Sequence, residues 1–206
     1  MKNIQLFLHK LTNWEYWPFQ IVYIPIYFQY IYYVVRTRSF FYFNASNPTI
    51  RNGGFFMESK KEIYDLIPQK YYPKTILIEN KTPIDFISEL IKLNNISFPL
   101  ICKPNVGLRG TLVKKISNTK ELTSYASKAN FDFLVQDFIP YANEIGLFYV
   151  KLPNEKFGKI TGIVAKEFLI LIGNGKNTIK ELLEKDPRYQ LQLKVLEEEY
   201  REKLNE

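Results

Sequence analysis

The chain has 206 residues, 46% of them hydrophobic and 24% charged, which suffices for the core of one large domain or two small ones. A single cysteine, Cys102, excludes an intrachain disulfide, and a single histidine, His9, leaves no His/Cys cluster for zinc. The formal net charge of +7 admits nucleic acid, an anionic membrane surface or a phosphate-bearing ligand, and chooses among none of them.

Aromatic residues make up 16% of the chain and crowd between Trp14 and Phe43. The stretch WPFQIVYIPIYFQYIYYVV, Trp17 to Val35, carries no charge and is followed by Arg36 and Arg38. Its length approaches the roughly 20 residues of a membrane span. Pro18, Pro25, Gln20, Gln29 and the many tyrosines argue against a plain spanning helix. Three readings stay open: a buried or partner-covered aromatic helix, an interfacial anchor with the arginines on anionic headgroups, and a transmembrane span.

Asn47-Pro48 and Asn52-Gly53-Gly54 are turn chemistry, so this segment reads as loop. Ser59 is placed to cap a helix from Lys60 to about Leu66, with Glu62 three residues on as in a capping box, and Pro68 ends it. A soft boundary near Lys74 divides an aromatic-rich region, 1–74, from a second region, 75–206. There, Thr75–Ile78 reads as a strand. A helix from Pro83 to about Asn94 follows, with Phe86, Ile87, Leu90 and Ile91 at helical spacing. Phe98–Cys102 and Thr111–Ile116 are strands, and Cys102 is a core residue. Asn118 caps a helix ending near Ala129. Phe133–Ile139, Ile145–Leu152 and Ile160–Ile172 are β-rich. Asn174-Gly175 is a turn, a helix starts at Thr178, and Pro187 separates it from a charged helix from about Arg188. The order β-α-β-β-α-β-β-β-α predicts an α+β fold with mixed or antiparallel sheets flanked by helices.

Chemistry concentrates in FPLICKPNVGLRG, Phe98 to Gly110. Lys103 ends an apolar strand and Pro104 stops further pairing on its donor side. Asn105 to Gly110 form the glycine-bearing, basic tip of a hairpin. Glycines let backbone N–H groups approach a phosphate, a fixed lysine supplies a point charge, and Arg109 adds a planar fork. An ordinary surface hairpin with solvated cations is the competing reading, since the pattern is neither a Walker loop nor G-x-G-x-x-G. Downstream, LVQDFIPYANEIGLFYV runs strand, polar interruption, strand. Phe138 and Ile139 suit an apolar slot for a base, and Glu144 suits ribose hydroxyls. Asp137 and Glu144 read equally as solvated loop acids.

FPLICKPNVGLRG, LVQDFI, EIGLFYV and GKITGIVAKEF together resemble the ATP-grasp superfamily, and within it the D-alanine–D-alanine ligase-like enzymes, over about Glu58 to Leu183. The NWEYWPF opening and the NGGFFMESK segment resemble a bacterial subfamily of these enzymes. The resemblance implies an ATP-grasp-like fold preceded by an aromatic helical region. It implies that Lys60 and Lys103 bind phosphates and that Asn105 to Thr111, with Gly107, Arg109 and Gly110, form a loop closing over them. It places Gln136, Asp137, Phe138 and Ile139 at the adenine hinge, Glu144 at the ribose and Lys166 near the phosphates. The implied reaction couples ATP to a small-molecule carboxylate, giving an acyl phosphate and ADP, which an amine or a thiol then attacks.

Magnesium belongs to this chemistry, but the resemblance puts its acidic ligands on strands after the last residue here. The run Glu197, Glu198, Glu199 reads as a solvated helix face. The chain is therefore expected to be C-terminally truncated and, alone, to bind nucleotide weakly with little or no turnover. The alternative is a non-catalytic nucleotide-binding or membrane-associated module with a degenerate ATP-grasp fold. Nucleic acid is disfavoured, because the lysines are scattered rather than aligned in a basic stripe. A cytoplasmic location, peripheral to the inner membrane in the anchor reading, fits all of these.

Overall fold

The computed structural model describes residues 2–55, 57–107, 110, 112–166, 169–193, 196–197 and 204. The chain divides into two compact units, one formed by Met1–Tyr32 with Ala142–Glu206 and the other by Tyr33–Tyr141; Lys74 lies inside the second.

Three helices open the chain: α1 (Lys2–Thr12), α2 (Phe19–Val22) and α3 (Ile24–Thr37). The first was not anticipated, although Ile4, Phe7, Leu8 and Leu11 recur at helical spacing. Pro18 precedes α2 as its N-cap, and Pro25 sits in the first turn of α3, where its missing N–H costs no helical bond. The uncharged stretch is thus split at Tyr23, and among the described residues no helix is long and apolar enough to cross a membrane.

In the second unit the turn chemistry at Asn52-Gly53-Gly54 is realised with φ of 54°, 62° and 74°. A Cβ at Gly53 would also stand 2.7 Å from the carbonyl oxygen of Phe43, so both backbone and space require glycine. Helix α4 (Lys60–Asp65) follows, its Ser59 cap accepting from the N–H of Glu62. Strand β1 (Thr75–Ile78), α5 (Ile84–Leu93), β2 (Leu100–Pro104), β3 (Lys114–Ile116), α6 (Thr119–Lys128) and β4 (Phe133–Asp137) complete the unit. The four strands form an antiparallel sheet in the order β1-β4-β2-β3.

Strand alternation sorts this sheet into two faces. On one, Ile78, Leu100, Cys102, Ile116, Phe133 and Val135 join Ile87 and Ile91 of α5 and Leu122 and Tyr125 of α6 in a closed apolar core. Cys102 is fully buried there, which pushes its thiol pKa up to about 12. The other face receives Thr75, Lys103, Leu134 and Gln136. Strand β2 lies two residues later than predicted. Pro104 does pair, with Phe133, because β3 has already ended opposite Cys102 and leaves that flank without a ladder to interrupt.

In the first unit, β5 (Glu144–Val150) and β6 (Lys159–Lys166) form a two-stranded antiparallel ribbon with an irregularity between Phe148 and Tyr149. The predicted continuation to Ile172 does not form: Leu169 onward has no strand pairing, and Glu167 and Phe168 lie outside the described residues. Helix α7 (Ile179–Leu183) starts in a full capping box between Thr178 and Glu181, and α8 (Pro187–Gln190) starts with Asp186 accepting from the N–H of Arg188. Most of the charged tail, including Glu198 and Glu199, lies outside the described residues.

Candidate functional site

The second face of the four-stranded sheet carries the cationic chemistry. Lys103 is the fourth residue of β2, so alternation turns it away from the core that holds Cys102. Its ammonium donates to the Tyr64 hydroxyl and to Gln136 Oε1, each at 2.8 Å. Gln136 is buried, and its Nε2 donates in turn to Thr75 Oγ1 at 2.6 Å. That pair follows from the register, which sets Thr75 directly opposite Gln136. Tyr64 is steadied by stacking on Tyr72, with ring centroids 4.8 Å apart.

Lys60 approaches the same place from α4, one helical turn before Tyr64. Its ammonium donates to the carbonyl oxygens of Asn105 at 3.3 Å and Gly107 at 3.1 Å. Asn105 is the joint between helix and strand. Its Oδ1 accepts from Ser59 Oγ at 3.1 Å and from the N–H of Lys61 at 3.0 Å. Its own backbone donates to Asp132 O and accepts from the N–H of Lys60. Asn105 is only 9% exposed, so these bonds satisfy groups that water does not reach.

Two ammonium groups therefore share one site. Burial, and then the charge of Lys103, hold the Lys60 pKa below its ordinary value. Burial pushes the Tyr64 phenol up. The hydrogen bonds to Lys103 and Gln136 and the charges of Lys103 and Lys60 outweigh it and leave the phenol below its ordinary value. An ammonium has three N–H donors, and each lysine uses two on neutral oxygens of the protein. What remains is positive charge held in place by neutral partners, an arrangement suited to an anion with several oxygens.

No protein-family model matches the chain, and no curated protein matches it. Among solved structures, the D-alanine–D-alanine ligase of Helicobacter pylori is similar at 18% identity and a TM-score of 0.38, over 68% of this chain and 43% of that one. The D-alanine–D-alanine ligase of Bacillus anthracis is similar at 17% identity and a TM-score of 0.35, over 65% of this chain and 46% of that one. The chain spans less than half the length of either enzyme.

The other expected site residues fall as follows. Gly107 is exposed, and a Cβ added there would stand 3.4 Å from Pro104 Cβ, while Gly110 has a φ of 77°. Arg109 and Thr111 lie outside the described residues. Gln136, expected at an adenine hinge, sits in the ladder between Thr75 and Ile101, and its side chain is committed to Lys103 and Thr75. The Asp137 N–H donates to Lys74 O, the Phe138 ring lies 4.2 Å from the Lys115 ammonium, and Ile139 is exposed. In the first unit, Glu144 and Lys166 face each other across the ribbon and form an ion pair at 2.5 Å, open to water on both sides.

Sequence reasoning missed Tyr64, Thr75 and Ser59 as parts of this site. The spacing of Tyr64 four residues after Lys60 was available as a signal; the pairing of Thr75 with Gln136 needs the register. Among the described residues no group of three or more His, Cys, Asp or Glu could hold a metal ion, so the described residues alone do not fit magnesium. A separate cavity of about 470 Å³, lined by Lys114, Lys115, Lys128, Tyr125 and Phe131 among others, includes neither Lys60 nor Lys103.

Proposed function

We propose that this chain carries the nucleotide-binding part of an ATP-dependent, ADP-forming ligase of the ATP-grasp type. One observation carries the reading: Lys60 and Lys103 bring two cations to one site, on neutral partners, beside the backbone of Asn105 to Gly107. Phosphoryl transfer asks a protein mainly for position and positive charge around the migrating group. The sequence resemblance supplies the nucleotide and the family; the lysine pair supplies the physical reason.

In this reading Lys60 and Lys103 hold the phosphates, Asn105 anchors the base of the loop that runs to Thr111, and the rest of that loop, with Gly107, Arg109 and Gly110, closes over them. Gln136 serves through its grip on Lys103, and the base falls to the segment from Asp137 to Ile139. The sequence resemblance assigns Glu144 to the ribose hydroxyls and Lys166 to the phosphates, and both assignments belong to the same proposal. A carboxylate oxygen of the substrate attacks the γ-phosphorus of ATP, ADP leaves, and an amine or thiol displaces phosphate from the acyl phosphate. The small-molecule substrates and a cytoplasmic setting belong to the same proposal.

Calorimetric titration with ATP, ADP and AMP tests the reading. Lys103→Ala should weaken ATP binding about tenfold or more, as expected for a lost charge-assisted contact. Lys114→Ala, on an exposed strand, should change it little. Equal small effects would defeat the assignment. Glu144→Gln should weaken ATP more than inorganic tripolyphosphate, since the lost contact is to the sugar; a matched loss removes Glu144 from the site.

A further inference from the structure

We infer that the N-terminal segment through α3 is an interfacial anchor for an anionic bilayer surface, independently of what the lysine pair binds. The decisive observation is an amphipathic helix turned inside out. Ile4, Phe7, Leu8 and Leu11 lie on one face of α1 and are 65%, 65%, 51% and 55% exposed. Leu6 and His9, on the opposite side, are half-buried, and α1 packs on α8 within its unit. A helix serving only its own core would turn the apolar stripe inward. Helix α3 repeats the pattern: Phe28, Ile31, Tyr32 and Val35 follow the same spacing and are 71%, 59%, 54% and 72% exposed.

Charge selects the occupant. Residues 1–55 contain Lys2, Lys10, Arg36, Arg38 and Arg51 against Glu15 alone. Cations beside exposed apolar stripes complement anionic headgroups above acyl chains. The tryptophans and tyrosines are interfacial residues by preference. The Trp17 indole N–H donates to Leu11 O at 3.0 Å and fixes the elbow after α1. Beside it Phe7, Leu11, Trp17, Pro18 and Ile21 wall an open apolar pocket of about 410 Å³ that also includes Lys10. At about 1.5 Å per residue, α3 reaches roughly 21 Å, short of a hydrocarbon core of about 30 Å, so it lies along the surface rather than across it.

The test is co-sedimentation of the whole chain with phosphatidylcholine vesicles, with and without phosphatidylglycerol. Binding is expected to the anionic vesicles, weakened by salt, with little to phosphatidylcholine alone. The double variant Phe7→Glu with Leu11→Glu alters exposed side chains, so circular dichroism and thermal unfolding should match the parent while vesicle affinity falls about tenfold or more. Lys10→Glu, which spares the stripe, should reduce the preference for anionic vesicles. No binding to anionic vesicles, or equal binding by the double variant, overturns the inference. So does self-association that the double variant abolishes without any vesicle binding, which would assign the stripe to a second copy of the chain.

Discussion

The sheet of β1 to β4 and the ribbon of β5 and β6 are built from similarly apolar strands and meet opposite fates. FLVQD of β4 is buried from Phe133 to Gln136, whereas every residue of EIGLFYV in β5 is exposed. Two helices cover one face of the sheet; in the ribbon every residue of β5, and every residue of β6 but Gly162, is exposed. Apolar content therefore reports what a strand can bury, and only the neighbours decide whether it does. A two-stranded ribbon standing this open has little stability of its own.

The widest separation between the regions should appear in stability. Leu100→Ala removes a side chain with no exposure from the closed core and should cost about 2–4 kcal/mol in urea unfolding. Leu147→Ala, in the ribbon at 54% exposure, should stay within about 0.5 kcal/mol. Similar costs for both would mean that the ribbon is covered in solution. A smaller effect is expected at the joint. Asn105→Ala strips the partner from Ser59 Oγ and the Lys61 N–H and should cost about 1–2 kcal/mol. Its ribbon counterpart, Glu144→Ala, breaks a water-exposed ion pair and should cost almost nothing.

The subtlest contrast is one of pH. Lys60 loses its proton below the ordinary lysine value of 10.5, and Tyr64 gains negative charge below its ordinary 10.0. Both changes remove positive character from the site, so ATP affinity should fall severalfold as pH rises from neutral toward those values. Tyr64→Phe removes the phenolate and should leave a shallower decline. A pH-independent affinity would show that the ligand's charge is met elsewhere.

Local signals made much of the fold readable. Ser59, Asn118, Thr178 and Pro187 mark helix starts by chemistry confined to a few neighbouring residues, and the structure places helices at each. The strands read through their apolar runs to within a few residues, except β6, which ends at Lys166 rather than Ile172. What could not be read is what needs a partner distant in sequence. Asn105 looked like part of a flexible tip; it is buried because Ser59, 46 positions earlier, meets it. The resemblance puts Gln136 at the adenine hinge, and nothing local reveals that its side chain bonds Lys103 and Thr75 across two strand pairings. The exposure of the α1 stripe was equally hidden, since periodicity names a face without naming what it meets.

The link from Thr75 through Gln136 to Lys103 has one more consequence. Were β1 to slide by a single residue against β4, Lys74 or Ile76 would stand where Thr75 does, and the amide would lose the hydroxyl that orients it. The alignment of two strands and the aim of one ammonium are thus a single mechanical setting. A lesion in the β1–β4 seam would be felt first as a wandering cation, before any loosening of the core showed.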